Sequence, residues 1–207
     1  MLLSGVCLLF IYYLALQRSS LEPLQHPTIQ TLIGTCICAL TLLWQVDAQL
    51  PGWPAIHFLG ITSLVLLLGL RLGLLTIAVP LLLQLIYTFM LDGSLQVDDD
   101  FLWRWTLLAL TAVISYGIYL LCDRYLPLHF FTFIFAGCFL NAMLSACFYY
   151  GISFVIWREG SLLSDTDWFL LPLIALPEAL LNGMAMTLLV VYRPQWIAGL
   201  RMKIFEQ

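Results

Sequence analysis

The stretch Trp168–Tyr192, WFLLPLIALPEALLNGMAMTLLVVY, decides the fold. It is long enough to cross a bilayer, because a transmembrane helix needs about 20 predominantly apolar residues. A single carboxylate, Glu178, interrupts it, and a charge at a helix centre costs roughly 2.5–3.5 kcal/mol on insertion scales. Ionisable residues inside a membrane indicate a binding or conduction site unless a structural partner explains them. The stretch therefore predicts a spanning helix with a polar site.

The composition extends this prediction to the whole chain. Of its 207 residues, 62% are hydrophobic and 10% are charged. A soluble domain carries about 25% charged residues, so this chain has too few to cover a water-facing surface. We predict an all-α, polytopic membrane helix bundle that forms one integral membrane domain over residues 1–207.

Apolar runs, taken at about 20 residues per crossing, predict seven transmembrane helices. They lie at 1–16, 30–46, 54–70, 72–91, 101–122, 128–157 and 168–192. The least marked boundary separates the third helix from the fourth, where only the turn 69–73 interrupts the apolar pattern. The first run lacks the basic region and cleavage site of a signal peptide, so we expect it to be a helix of the mature protein.

Basic residues predict the orientation of the bundle. With seven crossings, six of the eight Lys and Arg residues fall on the side of the C-terminus, while Arg104 and Arg158 fall on the other. This distribution places the C-terminus in the cytoplasm and the N-terminus outside. Most acidic residues fall on the outer side and give that face a negative field. The charge pattern gives no sign of nucleic-acid binding.

Several classes of activity lack their sequence motifs. The chain has no Gly-x-x-x-x-Gly-Lys-Ser/Thr phosphate loop, no His-Glu-x-x-His and no Gly-x-Ser-x-Gly. No pairing of a nucleophile with a base can be read, so we predict that the protein is not an enzyme and holds no covalently bound cofactor. The six cysteines lack the Cys-x-x-Cys spacing and are expected to behave as small hydrophobic residues.

Five polar side chains are predicted inside the spans: His57, Gln84, Asn141, Glu178 and Asn182. At a rise of about 1.5 Å per residue, Asn141 and Glu178 lie near the midplane and His57 about one turn below the outer surface. Asn182 follows Glu178 by one turn on the same helix face. If the third, sixth and seventh helices are neighbours, these groups line a cavity that opens to the outside.

His57 and Glu178 are the candidate metal ligands. A neutral imidazole commonly binds nickel, cobalt, zinc or copper, and a carboxylate in low dielectric ligates a cation, accepts a proton or pairs with a buried group. Other interpretations stay open. His57 also fits a position at the membrane interface, where water contacts the outer end of its side chain. Glu178 also fits a structural hydrogen-bond network with Asn141, Asn182 or Gln84, of which Gln84 is expected chiefly to join helices.

Several segments together resemble one known family. HFLG (57–60), LLLG (66–69), LLQ (82–84) and DGSL (92–95) resemble the core of CbiM-type proteins, and PEALLNGM (177–184) takes the place of their last-helix motif. CbiM-type proteins are the substrate-capturing membrane components of energy-coupling factor (ECF) transporters for nickel and cobalt. The chain resembles a divergent branch of predicted ECF-type permeases.

The resemblance, over roughly residues 55–192, implies a seven-helix bundle in the bacterial plasma (inner) membrane that captures a transition-metal ion as substrate, with His57 as a ligand. It also implies partners, namely ATP-binding subunits and a transmembrane coupling subunit. One departure matters. Family members for nickel and cobalt begin Met-His and use the amino terminus and that histidine as ligands, whereas this chain begins MLLS (1–4). Either Glu178, a Cys or a Met replaces those ligands, or the substrate is no longer nickel or cobalt.

Transition-metal uptake is the leading functional hypothesis, and two alternatives remain. A small organic nutrient is the first, as in vitamin-specific relatives of the family, because the chain supplies aromatic side chains, among them Trp103, Tyr149 and Tyr150. The second is a membrane scaffold or accessory subunit whose polar residues only join helices.

Overall fold

The computed structural model describes residues 2–16, 26–49, 53, 55–92, 99–126, 129–157 and 165–198. The helices are α1 Leu2–Leu16, α2 Pro27–Leu43, α3 Ile61–Asp92, α4 Asp99–Tyr125, α5 Phe130–Trp157 and α6 Asp165–Tyr192. Between α2 and α3, two short antiparallel strands pair, β1 Asp47–Ala48 and β2 Ile56–His57. A 3-10 turn, Pro194–Trp196, follows α6. The fold is therefore predominantly helical, as predicted.

Four of the described helices are long and apolar enough to cross a membrane. These stretches are Ile61–Leu91 of α3, Asp100–Tyr125 of α4, Phe130–Trp157 of α5 and Trp168–Tyr192 of α6. Large apolar side chains point outward on them: Leu173 is 63% exposed and Leu188 is 58% exposed. Such a surface suits hydrocarbon and not water. The protein is membrane-embedded, whereas seven crossings and their orientation remain predictions.

α3 consists of two arms that meet at Gly69, where the backbone leaves the helical region with φ 80° and ψ 168°. A Cβ placed on Gly73 would lie 3.7 Å from Cα of Val65. In a straight helix these two residues would be about 12 Å apart along the axis. The first arm, 61–68, therefore folds back on the second arm, 70–92, within the turn expected from the sequence.

The predicted helix over 54–70 is wrong in its first half. His57 lies on β2, and the helix begins only at Ile61. Gly60, with φ 65°, precedes it and accepts the first intrahelical bond, from the N–H of Leu64 at 3.1 Å. The first arm of α3 is about 12 Å long, too short to cross a bilayer.

α5 is not a uniform α-helix. It starts with the short turn Phe130–Thr132, continues as a π-helix over Phe133–Leu140 and ends as an α-helix over Asn141–Trp157. Long π-helical stretches are rare and often lie at functional sites. Here the change back to α-helix coincides with a buried asparagine at 141.

The apolar core lies where α3, α4 and α5 meet. Ile77, Leu108 and Phe154 come from these three helices, and each is fully buried. α1 packs beside this core through a hydrogen bond from the Tyr12 hydroxyl to the carbonyl of Leu74 at 2.7 Å. Helix association in a bilayer relies on such packing and interhelical hydrogen bonds, because lipid supplies no hydrophobic drive between helices.

Candidate functional site

The buried acid of α6 caps the start of α3. Oε2 of Glu178 accepts the N–H of Leu59, and Oε1 accepts the N–H of Gly60, both at 2.8 Å. One turn later, Oδ1 of Asn182 accepts the N–H and the hydroxyl of Ser63 at 2.9 and 2.6 Å. The first N–H groups of a helix have no partner within the helix. α6 supplies these partners from its own side chains.

The carboxylate of Glu178 is therefore satisfied in an apolar setting by the N–H groups of Leu59 and Gly60, just before α3, and by Asn182. The side chain is 4% exposed, and its Oε1 also accepts the amide N–H of Asn182 at 2.7 Å. Hydrogen bonds to charged groups contribute about 1.5–3 kcal/mol each, and a helix N-terminus carries about half a positive elementary charge. This arrangement supports the structural interpretation of Glu178, with α3 as the partner instead of Asn141 or Gln84. Its role as a metal ligand stays a prediction.

Asn141 belongs to a separate network that joins α5 to α4. Its Nδ2 donates to the carbonyl of Ser115 at 3.0 Å and to that of Gly137 at 3.2 Å. Its Oδ1 accepts the hydroxyl of Ser145 at 3.2 Å. Asn141 is completely buried, so its polar atoms serve the contact between these helices.

A cavity of about 770 Å³ opens at one end of the bundle. It lies among the end of α2, the two strands, the second arm of α3, the start of α4 and the end of α5. Its polar lining consists of Gln45, Asp47, His57, Gln84, Asp100, Arg104, Tyr149 and Ser153, and its aromatic lining adds Trp44, Trp103 and Trp157. The structure thus brings His57 and Gln84 to one cavity, whereas Asn141, Glu178 and Asn182 are absent from its described lining.

His57 reaches this cavity from β2 and is 7% exposed. Its Nε2 lies 3.5 Å from Nη2 of Arg104. Since a guanidinium can only donate, Nε2 acts as the acceptor and the imidazole is neutral. Burial, followed by the charge of Arg104, lowers the pKa of His57 to about 4. The rings of Trp44 and Tyr149 stand edge-on to the imidazole at 6.4 and 6.0 Å.

Arg104 is the residue that reasoning from the sequence missed. Its Nε is buried without a hydrogen-bond partner among the described residues. Its guanidinium carbon lies 5.9 Å from the centre of the Trp44 ring, within reach of a cation–π interaction. Its residue type gave little signal, because arginines near the ends of membrane-spanning helices commonly reach the membrane surface. The sequence indicated its depth but not which neighbours it would meet.

The cavity changes in character from its mouth to its interior. Asp47 and Asp100 are exposed, so water screens their charges. Arg104 follows Asp100 by one turn of α4 and is partly buried. In the described part of the chain, no three His, Cys, Asp or Glu side chains are grouped to hold a metal ion. The inner part of the cavity instead offers a guanidinium beside aromatic rings, which suits a carboxylate or similar anion.

Comparison with models of protein families, with curated proteins and with solved structures finds no match to this chain. The similarity to CbiM-type proteins consequently remains a prediction from sequence segments.

Proposed function

We propose that this protein is the membrane-embedded substrate-binding component of an uptake system, and that its cavity captures a small organic molecule with a carboxylate or similar anionic group. The observation that carries the proposal is Arg104. Its guanidinium lies in a cavity of about 770 Å³ with the Nε buried and unpartnered among the described residues. A guanidinium carries five N–H donors in a planar fork that matches a carboxylate, so Arg104 can bind an anion in the cavity that it lines.

The size and lining of the cavity support a small-molecule site. Ligand sites usually measure about 300–1,000 Å³ and combine apolar or aromatic walls with a few polar groups that fix orientation. Here Trp44 and Tyr149 provide aromatic walls, while Arg104 and Gln84 provide hydrogen bonds. We place this end of the bundle outside the cell, following the distribution of basic residues.

Uptake of a transition-metal ion such as nickel or cobalt stays the competing proposal. It needs the imidazole of His57 as a ligand, but Arg104 approaches the same ring at Nε2 and its charge repels a cation. It also needs the carboxylate of Glu178, whose two oxygens accept hydrogen bonds from the N–H groups of Leu59 and Gly60. A metal would have to displace both sets of contacts, so the geometry favours the organic substrate.

Transport would also need partner chains. The sequence has no phosphate-binding loop, so inward release would be driven by ATP-binding subunits through a transmembrane coupling subunit. We propose the bacterial plasma membrane as the location. A scaffold or accessory role is the remaining alternative, and it assigns the cavity no ligand.

A comparison of two arginine variants on α4 tests the proposal. We would purify the full chain and its Arg104→Gln and Arg124→Gln variants, and identify co-purifying small molecules by native mass spectrometry. Arg124 is a matched control because it lies in the last turn of α4, over the ring of Tyr125 at 5.7 Å. We expect an organic acid with the wild-type protein and with Arg124→Gln, and its loss from Arg104→Gln.

The same preparations separate the rival functions. Saturable binding of Ni²⁺ or Co²⁺ that disappears in both His57→Ala and Glu178→Gln would establish the metal site and overturn the organic one. Equal ligand content in the two arginine variants would remove Arg104 from the site. A wild-type protein with no co-purifying small molecule and no saturable metal binding would point to a scaffold.

A further inference from the structure

A second, smaller cavity adjoins the first. It measures about 220 Å³ and lies between α2 and the second arm of α3. Trp44, Gln45 and Gln84 line both cavities, so these three side chains form a common wall. We call the smaller cavity the α2–α3 cleft; Pro80, Leu83 and Tyr87 line the rest of its α3 side.

The cleft is apolar and reaches the outer surface of the bundle. Leu83 is 45% exposed and Tyr87 is 61% exposed, and both belong to a helix that can cross the membrane. On the opposite wall, the hydroxyl of Thr41 donates to the carbonyl of Ile37 at 2.8 Å. That polar group is therefore satisfied within α2, and Thr41 adds no free donor to the cleft. Pro80 has no N–H to offer either.

The two cavities thus present opposite chemistry on the two sides of their common wall. The larger one contains Arg104, with its buried and unpartnered Nε. Outside the common wall, the cleft offers the apolar side chains of Pro80 and Leu83 and the ring of Tyr87. Leu83 and Tyr87 are also exposed on a helix that is apolar enough to cross a membrane. A molecule that fills both must carry an anionic group at one end and an apolar group at the other.

We infer that the substrate is an amphiphilic organic acid whose apolar tail lies in the α2–α3 cleft while its anionic group binds at Arg104. This inference rests on the proposed function and specifies its substrate class. It also gives a role to the exposed side of the cleft at Leu83 and Tyr87, since the tail of an amphiphile dissolved in the membrane would meet apolar side chains there.

A chain-length series measured on two leucine variants tests the position of the tail. The full chain in lipid nanodiscs would be titrated calorimetrically with hexanoate, octanoate and decanoate, and with the primary alcohols of equal length. Leu83→Trp fills the cleft. Leu82→Trp is the matched control, because Leu82 is 44% exposed but does not line the cleft. Thermal unfolding of each variant confirms that it is folded.

We expect the wild-type protein and Leu82→Trp to bind each acid more tightly than its alcohol, with affinity rising about fourfold per methylene, the factor that burial of one CH₂ group provides. In Leu83→Trp the rise in affinity with chain length should disappear, while each acid should still bind more tightly than its alcohol. That result supports the cleft as the tail site.

Two outcomes would overturn the inference in different ways. An equal rise in affinity with chain length in both leucine variants would place the tail elsewhere and leave the anion site at Arg104 intact. Equal binding of acids and alcohols by the wild-type protein, unchanged in Arg104→Gln, would show partition into lipid. That second outcome would remove the proposed function together with the inference.

Discussion

The Glu178→Gln substitution tests whether α6 holds the start of α3. Glutamine has nearly the same shape as glutamate but only one oxygen acceptor, and its amide nitrogen is a donor. One of the N–H groups of Leu59 and Gly60 would keep an acceptor. The other would face an N–H₂ group in a site where the side chain is 4% exposed.

The expected cost follows from these contacts. One hydrogen bond to a charged group is lost, at about 1.5–3 kcal/mol, and one buried N–H is left unsatisfied, at about 1–3 kcal/mol. The two terms overlap, because they describe the same donor. Loss of the negative charge at the helix N-terminus adds about 0.3–1 kcal/mol. We therefore expect the free energy of unfolding to fall by about 2–4 kcal/mol.

Two measurements check this expectation. Unfolding of the purified protein in mixed micelles gives the change in stability, and amide hydrogen exchange reports Leu59, Gly60 and Ser63 individually. Asp100→Asn is the charge-matched control: it removes an exposed carboxylate and should change stability by less than about 0.5 kcal/mol. If Glu178→Gln matched this control and left the three amides equally protected, the capping argument would be refuted.

Three further outcomes are expected. Gly69→Ala should lower the free energy of unfolding by about 1–3 kcal/mol, because φ 80° with ψ 168° is a region that only glycine occupies readily. Gly117→Ala is the control, since Gly117 lies in a helix with nothing within 4 Å of the new Cβ. It should be neutral or slightly stabilising in the same unfolding assay. The pKa of His57 is lower in the folded than in the unfolded protein. The contribution of its neutral imidazole to folding stability is therefore complete above the ordinary histidine pKa of 6.5 and is lost as the pH falls toward about 4. This loss amounts to about 2 kcal/mol by pH 5 in thermal or chemical unfolding, and His57→Gln should remove that part of the pH dependence. Asn141→Leu should destabilise the contact of α5 with α4 while calorimetry finds unchanged binding of octanoate, since its hydrogen bonds lie outside the cavity.

The sequence alone was informative about the class of protein and about the buried acid of α6, Glu178. Hydrophobic composition alone predicts a helical membrane protein, because too few charged residues are present to cover a surface in water. Glu178 and Asn182 could be recognised as a polar pair, since residues four apart share a helix face. The turn near Gly69 was also predicted. All three features depend on local composition or spacing.

Other features required tertiary information. Ile56 and His57 form a strand inside an apolar run, and hydrophobic periodicity does not separate a short buried strand from a helix. The capping of Gly60 by Glu178 joins residues 118 positions apart. Arg104 could not be assigned to a cavity until the ends of α2 and α5 were known to surround it.

The attachment of the first arm of α3 to α6 has a mechanical consequence. Glu178 accepts a hydrogen bond from the backbone N–H of Gly60. His57, three residues earlier in the same segment, lines the cavity. A segment of this length spans at most about 10 Å, so it can absorb little movement. If α6 slides along its axis, it must either break these hydrogen bonds or pull one wall of the cavity with it, although no residue of α6 belongs to the cavity's described lining.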